Sequence, residues 1–498
     1  MKKLNAKKFS NLKIDLLIIA GFTLIYIIYQ LVATSLMNGK YIGDEMIYFA
    51  ISYDIFAGNG INDVQYPIVY PLITAVAFFF EEPYRVIQLI NIFLNSLIPF
   101  VTYFFIRNMF EREKVVIISI LMLVSSFAVC FPSFVMGENL MYLLFLVAFF
   151  FHFKYAGEKS LKFAFIAGLL LAVMYMTKYL ALLMLPAFGL YWICQYFKKE
   201  DIKKSLIDIL KNFAVYGIAY GLVVILYAFI YSNVNGLALS IDVIKEIGGF
   251  SVATGPERVG YSFIPQLKWI GMYVVYAFVL LIPCVIVIVA KIKNAKFLKE
   301  FDSKVLKLIF LSVLLVMFTC YTASRHSTLA PYNSTGNMIK LLGRYVSYAS
   351  TFSIIIAVVL FDKKEMISKK KAILLALGAC VSATISYLIL YQDLIWTTTT
   401  AFLNVTRGRD LAGFYILGYK YLLYYCIVII AFVFFYFIKK NIYVTACLLV
   451  AIYLPCCLAS TVSVVESSIN EAATTEQLWQ MIDTEEDESE VELDIELD

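Results

Sequence analysis

An all-α, polytopic membrane protein is the fold class this sequence predicts, on three observations. Hydrophobic residues make up 62% of the 498 positions and the mean hydropathy is +0.82, more apolar surface than a water-soluble core can hide. Apolar runs of bilayer-crossing length, roughly 20 residues, recur from end to end. Lys and Arg gather in short tracts between those runs, the arrangement the positive-inside rule describes.

Taken in order, the runs predict about 13 spans, at 14–36, 86–110, 115–134, 138–154, 161–177, 179–197, 207–232, 268–290, 306–322, 342–361, 372–391, 413–438 and 442–465. The basic leader MKKLNAKKFSNLK enters a run too long for a signal-peptide core and without a convincing small-residue cleavage site, so it should be retained as the first span. The basic tracts at Lys2–Lys13, Arg107–Lys114, Lys154–Lys162, Lys198–Lys204, Lys291–Lys304, Lys363–Lys371 and Lys439–Lys440 all fall on one side if the N-terminus is cytoplasmic. Pro67–Phe80 is apolar but short. If it crossed, every later tract would change sides, so it is expected at the interface or re-entering from outside. The near contact of 161–177 with 179–197 demands a sharp reversal at Thr177–Lys178.

With this topology the loops at 37–85, 135–138, 177–179, 233–267, 323–341 and 392–412 face outward, and any chemistry is expected there. The domain division is a membrane domain over 1–465 and a tail over 466–498. The tail ends in DTEEDESEVELDIELD, an acidic low-complexity run expected to be disordered and extracytoplasmic.

Composition also excludes classes. The basic tracts are explained by topology, so nucleic acid is not an expected partner. All nine Cys lie in apolar runs without zinc-site spacing and read as packing residues. His152 and His326 are the two histidines, too few for a histidine-based metal cluster.

The stretch from Tyr41 to Pro71, YIGDEMIYFAISYDIFAGNGINDVQYPIVYP, is polar and acidic in a largely apolar chain. Asp44 and Glu45 open a helical pattern with Ile47, Ala50, Ile51 and Ile55 on one side, a face for a membrane or for other helices. Topology adds Glu138, Lys178, Arg325, His326 and Arg344 to the same face. Ionisable residues beside a span usually face a protein interior or a wet cavity. Carboxylates with cations suit a reaction that expels an anion: an acid takes the acceptor's proton and cations hold the departing phosphate. Plainer readings stand beside this one. Asp44, Glu45 and Glu138 fit helix N-termini, Lys178 could snorkel, and Arg344 could meet a lipid headgroup. A transporter or lipid-linked saccharide flippase would instead show inverted repeats and a polar site at the midplane. An O-antigen ligase or polymerase would centre its chemistry on later outer loops such as 233–267.

The order of these motifs resembles the GT-C glycosyltransferases, in the branch of the protein O-mannosyltransferases and aminoarabinose transferases. The carriers are GDEMIYFAISYDIF followed by YPIVYPLITAVAFFF, then MGENLMYLLFLVAFF with Glu138, MTKYLALLMLP with Lys178, and GRYVSYASTF with Arg344 and Tyr345. The resemblance implies inverting transfer from a polyprenyl-phosphate sugar at the extracytoplasmic face of the cell membrane. It casts Asp44 as general base, with Glu45 orienting acceptor or sugar and Glu138 holding the acceptor or supporting Asp44. Lys178, Arg344 and Tyr345 would bind the donor phosphate, with Arg325 and His326 as helpers. It implies neither a cofactor nor an obligatory metal. The partners are the donor, membrane lipids and a glycan, lipid or protein acceptor. Lys178 stands where the family often has Arg, and the C-terminus lacks a recognisable folded outer domain.

Overall fold

The structure, a computed structural model, describes residues 2–36, 44–60, 66–196, 201–247, 263–292, 303–329, 343–362, 367–391, 411–455, 457–458 and 461–462. Much of the three late outer loops and nearly all of the acidic tail lie outside these residues. Within them every regular element is helical. The first half comprises α1 (Lys2–Ser35), α2 (Asp44–Ala57), α3 (Val69–Thr74), α4 (Pro83–Ser96), α5 (Ile98–Ile106), α6 (Arg112–Leu121), α7 (Ser126–Cys130), α8 (Glu138–Tyr155) and α9 (Leu161–Tyr175). The second continues with α10 (Leu185–Tyr196), α11 (Ile202–Val234), α12 (Ile241–Ile247), α13 (Phe263–Lys291), α14 (Ser303–Leu329), α15 (Tyr348–Val359) and α16 (Lys369–Tyr391), then helices at Leu411–Val433 and Ile442–Pro455.

Nine helices among the described residues are long and apolar enough to cross a membrane. A tenth counts if Arg112–Val124 and Phe127–Ser133, bent by 49°, form one broken span. Each of the 13 predicted segments falls on an apolar helix, but Leu161–Tyr175, Tyr348–Val359 and Ile442–Pro455 are short. Length and composition therefore support nine or ten crossings, not the full count. The segment Val69–Phe79, six residues of α-helix and five of 3-10 helix, reaches less than about 20 Å. That falls well short of a roughly 30 Å hydrocarbon core.

Burial sorts the helices by position. The span at Glu138–Glu158 has 72% of its apolar window inside the protein and Gln266–Lys291 has 61%, against 28% for α1 and 22% for α11. Every residue of α15 is buried. The centre is thus α8, α13 and α15, and α1 and α11 present apolar side chains to lipid. Pro283 interrupts α13, and a proline removes the hydrogen bond that would close on the carbonyl four residues back. The Tyr425 hydroxyl donates to that carbonyl, on Val279, at 3.1 Å, and Tyr453 donates to Leu280 at 2.7 Å. Both tyrosines belong to the last two helices, which dock on α13 by satisfying its exposed backbone, as a lipid environment requires.

At the end of the bundle where α1 begins, Asp15 is buried. It accepts from Arg112 Nε and Tyr103 Oη, each at 2.8 Å, which clamps α1 to α5 and α6. On that same end Lys159 pairs with Asp208 at 2.7 Å. The opposite end holds the candidate site.

Candidate active site

The site is built on a broken helix. The span that begins with α6 bends after Val124, and Ser125 caps α7 by accepting from the Ala128 amide at 3.3 Å. A 3-10 turn at Phe131–Ser133 and an extended Phe134 follow before α8 starts. Non-helical backbone at membrane depth is tolerated only where protein groups satisfy it, and here side chains do so in sequence. Tyr26 Oη and Gln30 Nε2 donate to the Ala128 carbonyl at 2.7 and 2.8 Å, and Gln30 also reaches Val129 at 2.9 Å. Gln88 Nε2 donates to Ser133 at 3.3 Å, and Asn91 Nδ2 to Phe134 at 2.8 Å. Asn139 Nδ2 is shared among the carbonyls of Phe131, Phe134 and Met136 at 3.0, 3.1 and 3.1 Å. Asn95 holds Asn139 Oδ1 at 3.0 Å.

The outer-loop helices close over this elbow. α2 turns Glu45, Tyr48, Ile51 and Ser52 inward, all buried. Of the four aliphatic residues predicted as its packing face, Ile51 alone is fully buried, and Ala50 is exposed. This helix is apolar nearly all round, so spacing alone could not choose its inner side; the polar partners beneath it do. Glu45 Oε1 accepts the Val135 amide at 2.7 Å, and Ser52 Oγ meets Thr74 Oγ1 on α3 at 2.8 Å. Tyr70 Oη donates to Asn91 Oδ1 at 2.9 Å. Val69 donates its amide to the Met176 carbonyl at 2.9 Å, which fixes α3 to the turn after α9.

That turn is the predicted reversal. The Thr177 and Lys178 amides both bond to Met174, and Lys178 adopts an extended conformation before a 3-10 turn leads into α10. Gly137 packs against it so closely that a Cβ there would lie 2.8 Å from the Thr177 carbonyl oxygen and 3.1 Å from Tyr48 Oη. Gly137 has an ordinary helical φ of −59°, so the requirement for glycine is one of space.

The close approach brings three charges together. Lys178 Nζ lies 3.0 Å from Glu138 Oε1 and donates to Oε2 at 3.1 Å. Arg344 Nη1 reaches Glu138 Oε1 at 3.5 Å. All three side chains are nearly sealed, with exposures of 5% for Glu138, 12% for Lys178 and 11% for Arg344. Lys178 Nζ also stands 5.4 Å over the Tyr48 ring, which is itself edge-packed by Tyr66 and Tyr70 at 5.3 and 5.5 Å. Burial opposes the charge on Lys178, but the Glu138 carboxylate, with help from Tyr48, more than offsets it, and the ammonium is held above its ordinary pKa. Arg344 and Tyr345 occupy a 3-10 turn just before α15. An aromatic column sets that turn's height: Tyr348 packs on Phe127 and Phe145 at 4.6 and 4.3 Å, and Thr351 bonds Tyr142 at 2.8 Å.

Four sequence-predicted residues, Glu45, Glu138, Lys178 and Arg344, therefore stand at one end of the bundle, the last three in direct contact. The Arg344 guanidinium carbon lies over the Tyr345 ring, 5.3 Å from the ring centroid. Asp44 begins α2 next to Glu45, but its side chain, like that of His326, lies outside the described residues. Arg325 is half-buried late in α14, and no ion pair among the described residues joins it to Glu138. Among these residues, no three His, Cys, Asp or Glu side chains gather to hold a metal ion. The amide row Gln88, Asn91 and Asn95 was not anticipated from sequence. Its signal is polar residues spaced by three and four in an otherwise apolar run, YRVIQLINIFLNS.

The charges cluster at helix ends around a broken span, within an all-helical, multi-pass fold. That fold is the one seen in ArnT from Cupriavidus metallidurans bound to undecaprenyl phosphate, which aligns with a TM-score of 0.52 at 13% identity over 90% of this chain and 77% of that one. ArnT from the same organism in its apo state aligns at 0.48 with the same identity and coverage. Residues 65–230, which include Glu138 and Lys178, match the family model for dolichyl-phosphate-mannose-protein mannosyltransferase. No curated protein matches the chain. The likeness to ArnT shows a shared fold, and the family model matches about a third of the chain.

Proposed function

We propose that this protein transfers a sugar from a polyprenyl-phosphate donor to an acceptor hydroxyl, with inversion, at the extracytoplasmic face of the cell membrane. The donor phosphate meets Lys178 and Arg344, with Tyr345 backing the guanidinium. Asp44 takes the proton from the acceptor hydroxyl as its oxygen attacks the anomeric carbon. The bond from that carbon to the phosphate oxygen breaks, and polyprenyl phosphate leaves with the electron pair. Two cations in a water-poor pocket stabilise the charge that develops on the leaving oxygen. Glu45 holds the 134–138 turn through the Val135 amide and keeps Asp44 at the mouth of the site. Arg325 and His326 stand by as helpers from the end of α14.

The observation that carries this reading is the meeting of Lys178 and Arg344 across Glu138. Residues 166 positions apart in sequence meet at one carboxylate, an arrangement that supports an anion-binding role. The undecaprenyl phosphate held by the fold relative ArnT supports the donor class. The basic tracts on the opposite loops support the orientation.

The test is incubation of the purified full-length protein with a panel of labelled polyprenyl-phosphate sugars and acceptors. Transfer is expected with at least one pair. Asp44→Asn should abolish turnover while donor binding persists, and Lys178→Ala and Arg344→Ala should raise the donor KM. Full activity of Asp44→Asn removes that residue as base; unchanged KM in both cation variants removes the phosphate site.

A further inference from the structure

His152 is completely buried, yet the proposed reaction gives it no task. It lies far along α8 from Glu138, about 21 Å down the helix axis, inside a candidate span. Its Nδ1 is 2.7 Å from the Ala148 carbonyl oxygen. A carbonyl only accepts, so Nδ1 carries the proton of the neutral imidazole and Nε2 is left as an acceptor. That nitrogen is buried and has no hydrogen-bond partner among the described residues. Three tyrosine hydroxyls share this condition, those of Tyr175, Tyr216 and Tyr220. The Tyr216 ring lies 6.3 Å from the His152 ring. Tyr220 follows one turn later on the same face of α11, and its ring lies 6.0 Å from that of Tyr175 on α9. Gly168 lets α9 come up against the Tyr216 backbone. Phe188 and Trp192 of α10 wall the other side of His152, at 4.2 and 5.4 Å. The row ends where Tyr175 packs on Tyr179 at 5.0 Å, next to Lys178.

We propose that the seam between α8, α9, α10 and α11 is a binding site for a file of ordered water, anchored at His152 Nε2. A buried polar group without a partner is costly, and a bilayer offers no solvent to relieve it. Four such groups in one row call for a common occupant. That occupant must donate to Nε2 and exchange hydrogen bonds with three hydroxyls. Hydrocarbon does neither. A metal ion would find one imidazole nitrogen and three neutral phenols, a poor ligand set. Water both donates and accepts, and a buried water characteristically bridges two to four polar groups. The file lies behind the turn that carries Lys178 and is separate from the proposed phosphate pocket, so a failed transfer assay does not bear on it.

The experiment is X-ray radiolysis of the full-length protein in nanodiscs, equilibrated in water enriched in the heavy oxygen isotope and read by mass spectrometry. Hydroxyl radicals formed from bound water label the side chains around it, including those that bulk solvent does not reach. Tyr175, Tyr216 and Tyr220 should take up the isotope several-fold more than two buried controls. The controls are Phe145, which has no polar side-chain atom, and Tyr142, whose hydroxyl is paired with Thr351. His152→Phe keeps an aromatic ring and removes the acceptor, so labelling of Tyr216 should be lost. His152→Gln restores an acceptor and should retain it. Wild-type tyrosines labelled no more than the controls would overturn the site, the result expected of a seam filled by lipid or closed by direct contact, and this reading needs no variant to fold. Undiminished labelling of Tyr216 in a folded His152→Phe protein would overturn the role of His152 as the anchor.

Discussion

Replacing Gly137 with alanine adds one methyl group at the tightest point of the site. That carbon would lie 2.8 Å from the Thr177 carbonyl oxygen and 3.1 Å from Tyr48 Oη, inside the usual carbon–oxygen contact distance. The nearer obstacle is backbone held by two hydrogen bonds to Met174, so it cannot rotate away as a side chain would. The two turns must separate by several tenths of an ångström, and overpacking of this kind costs about 1–3 kcal/mol. The same displacement lengthens the 3.0 Å contact of Lys178 with Glu138, so transfer should fall together with stability. Two further glycines serve as controls. A Cβ on Gly157 meets nothing within 4 Å, so Gly157→Ala should change stability by less than about 0.5 kcal/mol. A Cβ on Gly168 would collide with the Tyr216 carbonyl on α11, far from the charges, so Gly168→Ala should destabilise without altering donor KM. Thermal unfolding in detergent with donor kinetics on the three variants checks the set. A Gly137→Ala protein as stable and as active as the wild type would refute the argument that this approach sets the ion pair.

Asn139→Leu removes the side-chain donor shared by three carbonyls in the elbow, each of which keeps at least one other donor, and should cost about 1–3 kcal/mol in total. Its loss of activity should exceed that of a leucine placed on the lipid face of α1, read in the same transfer and unfolding assays. The Glu138–Lys178 contact invites a double-mutant cycle on stability. Glu138→Gln strands the buried Lys178 and should cost about 3–5 kcal/mol, Lys178→Gln leaves Glu138 with Arg344 and should cost less, and the double variant should be milder than the sum by about 1–3 kcal/mol. Strict additivity would mean that the two charges are not coupled.

Much of this protein could be read along the chain because a bilayer imposes simple rules. Apolar runs of sufficient length must be helices, and that placed every span segment on a helix, including the reversal at Thr177–Lys178. The charges beside the spans drew attention to Glu45, Glu138, Lys178 and Arg344 because unpaired charge is costly there. The number of crossings was less legible. Leu161–Tyr175 and Tyr348–Val359 are as apolar as true spans, and hydropathy does not record how far a buried helix extends.

The partners of each charge were beyond the sequence. Glu138 could have capped α8 or supported Asp44; its pairing with Lys178 and Arg344 depends on Gly137 fitting beneath Thr177 and on the aromatic column that sets the height of α15. The inner face of α2 was equally hidden, since Glu45 faces inward to meet an amide that exists only because a distant helix is broken. Sequence by itself determined which segments are apolar helices and which residue types stand at their ends, because transfer from water to an apolar medium acts on each segment alone. Tertiary structure decided which carboxylate meets which cation, because an ion pair depends on distances of a few ångströms between segments that the chain brings together only by packing.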